Sequence, residues 1–119
     1  NIYNNLPDGS LKSDLESEFG FKSMPDDFSL SQNYPNPFNP VTTISFSVPI
    51  KQSVKLQIIN LKGEMIFSNE FIDLEPRYYN QVWDASEQST GVYFYRLLLD
   101  NEVVNTKKMI LIKWSKNMV

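Results

Sequence analysis

The chain has 119 residues, of which 41% are hydrophobic, 21% charged and 13% aromatic, with a formal net charge of −3; this is the composition of one ordinary globular domain with one modest core. It has no histidine and no cysteine, which removes structural zinc, disulfide frameworks, thiol nucleophiles and nearly all imidazole acid–base chemistry, while the acidic balance argues against nucleic acid, whose phosphates need a basic face. No apolar run approaches the ~18–20 residues that span a bilayer, no signal-peptide pattern opens the chain, and a first residue of Asn rather than Met leads us to expect a fragment of a longer polypeptide.

The charge is uneven along the chain. Residues 1–27 carry six acidic side chains (Asp8, Asp14, Glu16, Glu18, Asp26 and Asp27) against two basic ones (Lys12 and Lys22), whereas the remainder carries eight acidic and nine basic. This first stretch is poor in β-branched residues and rich in Asn, Ser, Gly and Pro punctuation, and it reads as a flexible linker. Leu11, Leu15 and Phe19 recur at helical spacing, but so short a helix is marginal without a surface to dock on. A frayed linker is therefore favoured over a packed helix.

From Phe28 onward the period changes to two. Thr42, Ile44, Phe46 and Val48 share one face of a strand that Pro49 ends, and Val54, Leu56 and Ile58 alternate with Lys55 and Gln57 in a second. Asn60, Leu61, Lys62 and Gly63 form a tight turn in which Gly63 is free to take positive φ, and residues 64–72 return as the partner of a hairpin. Residues 77–83 make a further strand. After the polar loop 84–90, Gly91 opens residues 92–99, apolar on both faces and so expected to be central. A turn at Asp100, Asn101 and Glu102 leads to the last strand, 103–113, with Lys108, Met109, Ile110, Leu111 and Ile112 at its heart. Six or seven short strands spaced by turn signals, with no helix between them, predict an all-β, antiparallel β-sandwich. Its core is expected to hold Phe46, Trp83, Phe94 and some of Tyr78, Tyr79, Tyr93 and Tyr95.

The segment 32–40, QNYPNPFNP, is the unusual one. Pro35, Pro37 and Pro40 fix their own φ and push Tyr34, Asn36 and Asn39 away from the α region. The result is a stiff, extended path whose Asn side chains are free to bond local backbone. Any X-Pro bond in it is a candidate for the cis form. Tyr34 and Phe38 are expected to anchor it against the end of the sandwich. On residue chemistry alone the segment reads as a rigid crossover covering one mouth of the core.

The other constellations are weaker. Lys107, Lys108, Lys113 and Lys116 read either as protection of an edge strand or as a docking strand for an acidic groove. Asp73, Glu75, Asp84, Asp100 and Glu102 lack the Asp-x-Asp-x-Asp spacing of a calcium loop and are expected to be turn residues. The many Ser and Thr hydroxyls have no obvious base. No catalytic residue, metal site or cofactor is therefore expected.

Five features occur in order: Phe28 and Leu30 running into QNYPNPFNP with Thr42, Ile44 and Phe46 behind it; the strand VKLQIIN with the turn LKGE; Trp83 with Asp84; GVYFYRL from Gly91; and a terminal KKM with Leu111 and Lys113. Over residues 28–113 this pattern resembles the type A C-terminal sorting domain of type IX secretion cargo. The resemblance implies an immunoglobulin-like sandwich acting as a non-catalytic address label. It would carry an upstream cargo domain through the periplasm to the cell surface or exterior, read by a shuttle protein and an outer-membrane translocon and commonly removed by a sortase. It places sorting-motif residues at Asn33, Tyr34, Pro35, Asn36, Pro37, Phe38, Asn39, Pro40, Gly63, Gly91, Lys108, Met109 and Lys113, with residues 28–119 as the sorting domain. Three departures stand out: Gln81 where an apolar residue is usual, Ala85 where Gly commonly follows Trp-Asp, and residues 114–119 beyond the final Lys. An Ig-like carbohydrate or adhesion module and a structural scaffold domain are the alternatives.

Overall fold

The computed structural model describes residues 24–114; the helix considered over residues 11–19 and the tail 115–119 lie outside them. Seven strands follow in order: β1 (Ser29–Leu30), β2 (Val41–Val48), β3 (Gln52–Ile59), β4 (Met65–Leu74), β5 (Arg77–Asp84), β6 (Gly91–Leu99) and β7 (Glu102–Leu111). They form two antiparallel sheets, β1-β2-β5 and β4-β3-β6-β7. Placing β2 and β5 in one layer and β3, β6 and β7 in the other is the immunoglobulin arrangement, here with β4 added to the second layer.

The alternation read from the sequence builds the core. Thr42, Ile44, Phe46 and Val48 of β2 turn inward, to meet Val54, Leu56 and Ile58 of β3, Tyr93, Tyr95 and Leu97 of β6, and Met109 and Leu111 of β7. Phe46 packs against Phe71 and Tyr79, with ring centroids 5.3 and 5.6 Å away. At the opposite end, Trp83 lies between Phe38 and Tyr93, at 5.9 and 5.8 Å. Such stacked, tilted and edge contacts add modestly to the stabilisation from the area each ring buries.

β6 is an interior strand, as its apolar run predicts, but Phe94 is not in the core. Tyr93 and Tyr95 take the inward positions and Phe94 lies half-buried on the outer face of the sheet. The two tyrosines can point inward because each hydroxyl reaches a backbone acceptor: Ser89 O for Tyr93 and Ser31 O for Tyr95. The last strand also ends earlier than the sequence suggests. It stops at Leu111, and Ile112 beyond it is exposed.

The turns follow their chemistry. Asp100 and Asn101 both take positive φ, at 49° and 65°, as the two-residue hairpin between β6 and β7 demands. Gly63 has φ 83°, and its turn is held by Asn60, whose Oδ1 accepts from the backbone N–H groups of Lys62 and Glu64, each at 3.0 Å. A Cβ at Gly63 meets no atom within 4 Å, so the cost of Gly63→Ala is conformational rather than steric. We expect about 1 kcal/mol, which a thermal melt reads as a fall of roughly 5 °C.

Of the five acids expected in turns, Glu75 and Asp100 lie between strands, whereas Asp73, Asp84 and Glu102 lie at or next to the ends of β4, β5 and β7, whose pairing extends further than the polar residues suggest. Asp84 accepts from both the hydroxyl and the backbone N–H of Ser86, and these bonds hold its carboxyl below the usual carboxylate range. Asp73, like Asp100, takes positive φ. Among the described residues no three carboxylates gather around a common point.

Candidate functional site

The proline-rich segment leaves β1 and runs along the side of the sandwich where β7 presents its free edge. A strand edge offers unpaired backbone N–H and C=O groups, and four of those on β7 and just beyond it are met by this segment. Gln32 Nε2 donates to Lys108 O at 2.7 Å. Asn36 Oδ1 accepts from Ile110 N at 2.9 Å. Phe38 N donates to Ile110 O at 3.0 Å, and Phe38 O accepts from Ile112 N at 2.9 Å. Phe38 and Leu111 thus form a parallel bridge. The segment substitutes for a strand that three prolines prevent from forming, since each Pro lacks a donor. All three X-Pro bonds, Tyr34-Pro35, Asn36-Pro37 and Asn39-Pro40, are cis.

On its inner side the segment is fixed by a buried polar network. Asn33 is buried, and its Nδ2 donates to Thr42 Oγ1 at 3.0 Å and to Pro35 O at 3.1 Å. Thr42 Oγ1 donates to Pro35 O at 2.8 Å, and Gln32 Nε2 donates to Asn33 Oδ1 at 2.7 Å. The Tyr95 hydroxyl accepts from Asn33 N at 2.7 Å while donating to Ser31 O at 2.6 Å. Burial pushes the Tyr95 phenol up to about 12, and the bond from Asn33 N–H opposes that shift only in part. Among the described residues no buried side-chain nitrogen or oxygen lacks a partner, so the network specifies one conformation at little cost.

The motif residues therefore divide. Asn33, Phe38 and Met109 are buried, with Phe38 only 2% exposed. Pro35, Asn36, Pro37, Asn39 and Lys108 are exposed, and Pro40 is half-buried. Tyr34 does not anchor the segment as expected. It is 81% exposed, because its backbone pairs with Thr43 in both directions at 2.9 Å and so places its side chain on the outer face, in line with Thr43 and Val82. Only Phe38 turns into the core.

Gly91 pairs with Leu111 and so joins the site from β6. Lys113 is held over the loop between β5 and β6: its backbone N donates to Thr90 Oγ1 at 2.9 Å and its Nζ to Ser86 O at 2.6 Å. Gly63 sits at the same end of the sandwich, but two strands away from β7. Its turn faces residues 88–93 across a groove of about 360 Å³. Beside the motif lies a second open groove, of about 440 Å³, lined by Pro35, Pro37, Phe38, Asn39, Ile112 and Trp114, with Trp114 76% exposed.

The sequence reading missed several members of this site. Gln32, Thr42 and Tyr95 hold the segment from below, and Val82, across Thr43 from Tyr34, adds an exposed apolar side chain to the same sheet face. No sequence signal singles out Tyr95, because residues 92–99 are apolar on both faces and Asn33 lies 62 positions away.

The family model of the secretion system C-terminal sorting domain matches residues 32–113, from the first edge-capping side chain to the last pinned lysine. The chain belongs to that family, the C-terminal sorting domains of type IX secretion. Among solved structures it is similar to dimeric latent PorU from Porphyromonas gingivalis, with 17% identity and a TM-score of 0.59, over 76% of this chain and 10% of that one. At that identity the likeness concerns the fold. No curated protein matches the chain. Family membership assigns the domain to export, with a destination at the cell surface or outside the cell.

Proposed function

We propose that the domain is a non-catalytic address label read as one composite surface, made jointly by the proline-rich segment and the end of β7. The observation that carries this reading is their direct pairing: Asn36 meets Ile110 across 74 positions of sequence. The two stretches the family pattern marks at opposite ends of the domain thus lie side by side, with exposed Pro35, Pro37, Asn39, Ile112 and Trp114 around one groove and Lys108 exposed on the strand beside it. A mixed apolar and basic patch of this kind suits recognition by an outer-membrane translocon and its shuttle protein.

In this reading the cargo lies upstream in the same polypeptide, residues 28–119 form the label, and residues 1–27 form the linker. The route runs through the periplasm. A sortase cuts between about residues 20 and 28, where a segment of low hydrophobicity adjoins the folded unit. The label performs no chemistry of its own.

The test is to fuse residues 24–119 to a periplasmic reporter in a host with the type IX system. The reporter should appear outside the cell, and removal of residues 108–113 should retain it in the periplasm. Export that is unchanged by that deletion would sink the proposal. In a second fusion that carries residues 1–119, mass spectrometry of the secreted product should place its new terminus within residues 20–28.

A further inference from the structure

The exposed position of Asn36 suits a residue read directly by a receptor, yet its side chain is already engaged. Its Oδ1 accepts the edge-facing N–H of Ile110 at 2.9 Å, and Phe38 takes the Ile110 carbonyl and the Ile112 N–H on either side of it. A strand end has no intrinsic reason to stay flat once its pairing partner stops, and β6 begins at Gly91, directly opposite Leu111. The chain beyond Leu111 therefore has no further strand of its own sheet to follow. Its direction is set from the edge side by Asn36 and Phe38, and from above by the contacts of Lys113 with Thr90 and Ser86.

We infer that Asn36 is a positioning residue: through its carbonyl oxygen it fixes the backbone of residues 108–112, so that the proline-rich motif acts on recognition partly through the C-terminal strand it holds. The inference deepens the address-label reading and rests on it for the export consequence, but the positioning itself is a property of the folded domain alone. The chemistry is specific. Ile110 N–H needs an acceptor, which Asp supplies as well as Asn, whereas a receptor reading the Asn36 amide N–H₂ needs a donor, which Asp lacks. Replacement by Ala removes both.

The experiment compares Asn36→Ala and Asn36→Asp in the same reporter fusion and in the purified domain. Backbone amide exchange in Asn36→Ala should speed at Ile110 by about five-fold, with a smaller change at Ile112, which keeps its Phe38 acceptor. Asn36→Asp should protect Ile110 as the parent does. The thermal midpoint should move little in either variant, since the bond lies at an exposed edge. Export should fall in Asn36→Ala and return in Asn36→Asp. Unchanged Ile110 exchange in Asn36→Ala overturns the positioning role whatever happens to export. Equal loss of export in both variants, with exchange restored in Asn36→Asp, overturns it in favour of direct reading of the amide. A parent fusion that is not exported at all refutes the address-label reading, and the exchange measurement then still decides whether Asn36 holds the strand.

Discussion

Phe38→Ala should destabilise the domain by about 3–5 kcal/mol, the usual cost of emptying a buried aromatic site. Phe38 is the one side chain of the proline-rich segment that enters the hydrophobic core, 2% exposed and stacked at a tilt on Trp83. The void left by its ring would open beside Trp83, which is itself braced by Tyr93, and the three prolines on the segment leave little backbone freedom to collapse into it. For a domain of this size the loss corresponds to a fall in melting temperature of roughly 12 °C or more, a large share of the 5–15 kcal/mol that holds typical domains together. Thermal unfolding followed by near-ultraviolet circular dichroism measures it directly, because Trp83 reports on the same spot. Phe38→Leu should recover most of the loss. Substitution of the exposed neighbour Tyr34 by Ala should leave the midpoint within ~3 °C, because its side chain makes no part of the polar network and a surface side chain contributes little. A shift below ~5 °C for Phe38→Ala would mean that the segment is laid on the sandwich rather than plugged into it.

That contrast also marks where the sequence is legible and where it is not. Strands β2 and β3 announce themselves because strict alternation has one physical meaning, one face in and one face out, and Thr42, Ile44, Phe46, Val54, Leu56 and Ile58 all lie where the pattern puts them. Tyr34 and Phe38 carry no such pattern. Both are aromatic, both sit among prolines, and their opposite fates are decided by which backbone each one pairs with: Thr43 of β2 for Tyr34, Leu111 of β7 for Phe38. β6 poses a related difficulty. In a run that is apolar on both faces, hydrophobicity does not say which residues point inward, and the outcome reverses the simple ranking, with two tyrosines inside and Phe94 half-exposed. Hydrogen-bond supply decides it, since Ser31 O and Ser89 O stand ready for the two phenols. The site follows the same logic. Its members are visible as motifs, but the pairing of Asn36 with Ile110 and of Gln32 with Lys108 is a non-local register, set only once both sheets are assembled.

Tyr95→Phe should be nearly as damaging as loss of the Phe38 ring, although it removes a single oxygen. The phenol oxygen accepts Asn33 N–H and its proton goes to Ser31 O. Phe at this position keeps the apolar packing but orphans one backbone donor and one backbone acceptor beneath the proline-rich segment, and each such group costs about 1–3 kcal/mol, so a total of about 2–6 kcal/mol is expected in urea unfolding at neutral pH. The same oxygen gives the domain an alkaline signature. An unfolded tyrosine titrates near pH 10, while burial holds Tyr95 up to about 12 in the fold. Its contribution is complete below pH ~10; above that the unfolded chain releases the proton more readily than the folded one, so stability declines as pH rises from about 10 to about 12. Unfolding free energies measured at intervals between pH 9 and pH 12 should therefore fall more steeply for the parent than for Tyr95→Phe, with the other titrating groups contributing alike to both. The two curves should approach each other at the alkaline end, where the parent too loses the proton that binds Ser31 O. Parallel curves across that range would show that Tyr95 does not hold its proton through the fold, and would remove the network from its place as the support of the recognition surface.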